Sequence, residues 1–147
     1  MIQRKQTLFL LVVTILAGIL FFLPFQKLTN GENSWPVCLM PGCSTEINSN
    51  IYYPMILNSM VFVLSIIVIF LFKNRLLQFK LTNIIILFNV MILGLFLLLD
   101  FVVLEAGRTI SYEMGSFLPV ISIVFAYLAS HFIKKDEQLV RSADRIR

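Results

Sequence analysis

At 147 residues, with 59% hydrophobic and 14% charged side chains, the chain departs far from the soluble average of about 45–50% apolar and about 25% charged. That balance excludes an ordinary water-soluble domain and puts the chain in the integral membrane class, with the lipid bilayer as its first partner. The net charge of +4 would suit nucleic acid only as a patch on a soluble surface; here the charges sort by membrane side, so no nucleic-acid partner is expected.

The first apolar run is Thr7 to Phe25, preceded by Arg4 and Lys5. About 20 residues at 1.5 Å each cross about 30 Å of hydrocarbon. In lipid the backbone must satisfy itself, so such a run is a helix. A cleaved signal peptide is the competing reading. The run exceeds the usual apolar core of about 7–15 residues, and no small-x-small cleavage site follows it.

An outer loop, 26–53, comes next and is rich in Asn, Ser, Gly and Pro, so turns are expected to dominate it. It carries both cysteines, in Trp35-Pro36-Val37-Cys38-Leu39-Met40-Pro41-Gly42-Cys43. An oxidising outer compartment favours a structural Cys38–Cys43 disulfide, with Pro41-Gly42 as the turn between the sulfurs. Two free thiols stay open. A redox pair is disfavoured because the spacing is C-x4-C, and a zinc site lacks a histidine in the loop. No metal, cofactor or catalytic residue is assigned.

The second span is Pro54 to Phe72, and an inner loop, 73–80, ties it to the third, Leu81 to Leu99, whose continuation to Leu104 is left open. The second outer loop holds Asp100, Glu105, Arg108 and Glu113. If the third helix continues, Asp100 lies just inside the outer boundary and needs a partner, for which Arg108 is the expected choice. The fourth span is about 117–133, followed by a tail, 134–147, in which Leu139, Val140, Ala143 and Ile146 form one helical stripe and Glu137 precedes Arg141 by four residues. The tail is expected to continue the fourth helix and to lie on the inner leaflet, pack on a partner, or stay solvated.

Lys and Arg in the short flanks set the orientation. Ten fall at the N-terminus, the 73–80 loop and the tail, against only Lys27 and Arg108 on the other side. The expected fold is therefore an all-α, four-helix transmembrane bundle forming one domain over 1–147, with both termini cytoplasmic.

Asn58, Asn89, Thr14, Ser65, Ser122 and Ser130 lie within spans. The amides are expected to make interhelical hydrogen bonds worth about 1 kcal/mol. Thr14 with Gly18, and Ser122 with Ala126 and Ser130, form small-residue stripes expected to face the bundle interior. His131 is the single histidine. It falls near the inner boundary with no evident nucleophile beside it, so no acid–base role is expected.

The ends of the chain carry a resemblance. Met1-Ile2-Gln3-Arg4 running into an apolar helix, and the closing Lys135-Asp136-Glu137-Gln138-Leu139-Val140-Arg141-Ser142-Ala143-Asp144-Arg145, resemble an uncharacterised bacterial family of small four-span membrane proteins. The resemblance implies a bacterial inner-membrane location and no assigned activity. Trp35-x-x-Cys38 is also similar to the claudin-like proteins of animal junctions, but Cys43 follows too soon and Asn33-Ser34 replaces Gly-Leu.

Three functions compete. The first is a non-enzymatic membrane component that docks a protein partner through the tail, Lys135 to Arg147. The second is a small-solute transporter or channel built by an oligomer around Asn58 and Asn89; no ionisable residue lies mid-span to drive it. The third is an outer-face lipid or thiol enzyme using Asp100, Glu105 or the cysteines.

Overall fold

The computed structural model describes residues 5–30, 33–40, 52–71, 74–105 and 109–144, with side chains 102–105 and 139–144 and that of Lys5 outside the description. It is mostly helical, with four helices: α1 (Lys5–Leu20), α2 (Tyr52–Phe70), α3 (Arg75–Glu105) and α4 (Leu118–Asp144). Three strands, β1 (Gln26–Asn30), β2 (Asn33–Val37) and β3 (Thr109–Tyr112), and a 3-10 turn (Met114–Phe117) complete it.

The helices pack as a ring in chain order, α1 beside α2, α2 beside α3, α3 beside α4 and α4 beside α1. Their buried positions explain the ring. In α2 they are Pro54, Asn58, Val61, Ser65 and Val68. In α3 the inward stripe is Gln78, Thr82, Ile85, Asn89, Ile92, Phe96 and Leu99, with Asp100 also buried beside it, and in α1 it is Gln6, Leu10, Val13, Ala17 and Leu20. Each set alternates steps of four and three. A repeat of about 3.5 residues keeps one stripe facing the axis and produces gently supercoiled, antiparallel neighbours. Polar side chains occupy many of these inward positions, while Leu11, Ile15, Val63, Leu87 and Val124 are exposed outside. The exposed apolar outer faces reverse what a water-soluble bundle presents to solvent.

Segments Tyr52–Phe70, Arg75–Phe101 and Met114–Gln138 are long and apolar enough to cross a membrane, whereas the apolar stretch of α1, Gln6–Leu20, is shorter. The expected first span to Phe25 is corrected: the helix stops at Leu20. Pro24 pushes its predecessor away from helical angles, and Phe25 is buried rather than exposed. The third helix takes the continuation left open at Leu104 and ends at Glu105. It also begins at Arg75, inside the expected 73–80 loop. The fourth helix runs on through the tail to Asp144, as expected.

The all-α expectation is corrected too, and the described part of the outer loop is mostly strand rather than turn. β1 is the centre of an antiparallel sheet ordered β2-β1-β3. Asn30 pairs with Asn33, leaving only Gly31 and Glu32 between β1 and β2 in sequence. Pro36, which cannot donate to a ladder, sits in β2, an edge strand, where it is tolerated. Leu28 and Val37 are buried, so one face of the sheet packs inward as a cap on the bundle.

Candidate functional site

The cap meets the bundle at Asp100, a carboxylate only 7% exposed. The strand register prepares its partners. Gln26 of β1 lies opposite Tyr112 of β3, so both side chains leave the same face of the sheet. Gln26 Nε2 donates to Asp100 Oδ1 at 2.6 Å and to the Phe96 carbonyl at 3.4 Å. The Tyr112 hydroxyl donates to Asp100 Oδ2 at 2.6 Å. Both carboxylate oxygens are thus occupied by neutral donors, in short bonds of the charge-assisted kind. Tyr112 is 57% exposed. Its hydrogen bond to Asp100 raises the phenol pKa above the ordinary 10.0, with burial and the nearby negative charge adding to the shift.

Around this triad the backbone is stitched tightly. The Phe25 ring stacks on Phe96 with centroids 4.2 Å apart. The Phe25 N–H donates to Val37 O at 2.9 Å, the Glu113 N–H to Phe25 O at 3.1 Å, and the Gly115 N–H to Pro24 O at 3.0 Å. A Cβ on Gly115 would stand 2.6 Å from Pro24 O, so only glycine fits this crossing.

Asp100 accepts one hydrogen bond on each oxygen and so holds α3 to both β1 and β3. Arg108, its expected partner, lies outside the described residues; the observed partners are Gln26 and Tyr112. Sequence reasoning singled out Asp100 but missed both of them. Cys38 is buried just after β2. Cys43 lies outside the described residues, as do the side chains of Glu105 and Arg141 and the whole Met1–Arg4 start.

Within the helices the expected interior faces are observed, with Ser122, Ala126 and Ser130 all buried. The Thr14 hydroxyl donates to Ser65 Oγ at 2.8 Å, joining α1 to α2. Asn58 Nδ2 donates to the Ala17 carbonyl at 3.0 Å across the same seam. Asn89 differs from expectation: its Nδ2 donates within α3, to Ile85 O at 2.9 Å. On the far seam Ser130 Oγ donates to Asn83 Oδ1 at 2.9 Å. His131 is exposed, edge-on to Phe132. The buried amides of Gln6 and Gln78 were also missed, although both fall on the same four-three stripe as Leu10 and Ile85.

Among the described residues no cluster of three or more His, Cys, Asp or Glu side chains is placed to hold a metal. Compared with known proteins, residues 2–146 match the model of a family described as a domain of unknown function, DUF4293. No curated protein matches the chain.

Proposed function

We propose a function from the premise that the chain belongs to the DUF4293 family, whose description assigns it none: it is a non-enzymatic, four-span component of the bacterial inner membrane that docks a protein partner through the projecting end of α4. The orientation in this reading rests on the sorting of ten Lys and Arg against two. The fourth span rests on α1, apolar and packed beside both α2 and α4. Thr14, Asn58 and Ser130 join one helix to another and Asn89 bonds its own backbone, which suits a scaffold.

The observation that carries the docking role is the unbroken course of α4. Its 27 residues reach about 40 Å at 1.5 Å each, some 10 Å beyond a hydrocarbon core of about 30 Å. A segment lying flat on the leaflet would need a break near Ile133 to Asp136. Instead Arg75 Nη1 donates to the Asp136 carbonyl at 2.9 Å, tying the start of α3 to α4 at that level. Past that level the helix runs on to Asp144. Cross-linking in the native membrane, followed by mass spectrometry of the purified complexes, tests the reading. A stoichiometric partner lost on deletion of Lys135 to Arg147 supports it. Identical recoveries with and without the tail overturn it and move weight to the oligomeric transporter.

A further inference from the structure

At the end of the bundle where α1 and α3 begin, two buried amides face the axis from opposite sides. Gln6 is 2% exposed and Gln78 is 0% exposed. Gln78 spends its Nε2 on the Val68 carbonyl at 3.2 Å. That leaves its Oε1 buried without a hydrogen bond, and Gln6 Nε2 is buried without one as well. One orphan is an acceptor and the other a donor.

The register places them in one layer. Phe9, one turn along α1 from Gln6, stacks on Phe132 of α4 at 5.5 Å. Either side of that level, Ser130 and Asp136 of α4 bond Asn83 and Arg75 of α3. Gln78 lies between Arg75 and Asn83, so the two amides share a level to within about one helical turn of 5.4 Å. Across the ring, α1 and α3 are diagonal rather than neighbouring helices. A buried donor or acceptor left unmet costs about 1–3 kcal/mol. A water molecule, which both accepts and donates, satisfies such a pair when two to four polar groups converge on it.

We propose that a buried water molecule bridges Gln6 and Gln78 across the bundle axis, accepting from Gln6 Nε2 and donating to Gln78 Oε1. The inference is independent of tail docking and of which membrane face this end occupies. The test is water-edited solid-state NMR on the full-length, isotope-labelled protein in lipid bilayers. Water magnetisation should reach the side-chain amides of Gln6 and Gln78 several-fold faster than those of Asn58 and Asn89, which are held on backbone carbonyls. Gln78→Leu should abolish the fast transfer at Gln6 while the Asn58 and Asn89 signals stay in place, reporting an intact fold. Transfer at Gln6 and Gln78 no faster than at Asn89 would overturn the proposal. So would fast transfer at Gln6 that survives Gln78→Leu, since bulk solvent then reaches it directly. Should Gln78→Leu fail to fold, Gln6→Leu read at Gln78 decides between the same outcomes.

Discussion

At the sheet-capped end of the bundle, Asp100 has a donor on each oxygen, Phe25 lies flat on Phe96, and three backbone hydrogen bonds cross between segments distant in sequence. At the opposite end, Gln6 and Gln78 are equally buried, yet each keeps an unmet atom. The two ends share helices, depth of burial and polar content, and differ in what crosses the axis. A third layer, the sheet, reaches over the capped end and brings donors from outside the helices. Among the described residues, the other end has the helices alone. Buried polar groups in an apolar bundle therefore act as anchors where a separate element supplies their partners.

Five substitutions break or sharpen this contrast. Gly115→Ala should have the largest effect, because its methyl group would stand 2.6 Å from the Pro24 carbonyl oxygen. Overpacking of this kind costs about 3 kcal/mol, read as a lower unfolding midpoint in mild detergent. Asp100→Ala should follow at about 2–3 kcal/mol, within the range of about 1.5–3 kcal/mol for hydrogen bonds to a charged group, with hydrogen exchange accelerating in β3 but not in the middle of α2. Tyr112→Phe removes one of those bonds and should cost about 1.5 kcal/mol.

Tyr112 also gives the cap a pH signature. Its folded pKa is raised above 10.0, so the neutral phenol is favoured by folding. The associated stability is whole below the unfolded value of about 10 and is lost as pH rises through the folded value. Difference absorbance of wild type against Tyr112→Phe should show this phenol ionising later than an ordinary tyrosine. The smallest effects belong to the spans. Asn58→Leu should cost about 1 kcal/mol by losing its bond across the α1–α2 seam. Asn89→Leu should change stability less, since its amide serves only its own helix. Equal costs at the two positions would mean that seam bonds carry no more weight than local ones.

Much of this architecture was legible in the sequence. The apolar runs located the helices, and the small residues of α4 marked its inner face, because both signals are local and periodic. The sheet was not legible, because its strands are four or five residues long and of mixed composition. One signal was there to be used: Gly31 is the first of the two residues between β1 and β2 in sequence, a position at which hairpins favour glycine. Phe25 read as the end of a span because burial under a cap and burial in lipid call for the same side chain. The site was half legible. Asp100 stood out by its cost, but Gln26 lies 74 positions away, and nothing in its neighbours announces that pairing.

The place of β1 at the centre of the sheet has a mechanical meaning. That strand follows directly from α1, while β3 and the turn after it lead into α4 and Asp100 belongs to α3. Three of the four rods are thus fastened together at the same end. Thermal splaying of such an assembly is one-sided, like the legs of a tripod joined at the top. The helices should therefore spread first where Gln6 and Gln78 lie, with the capped face keeping its shape.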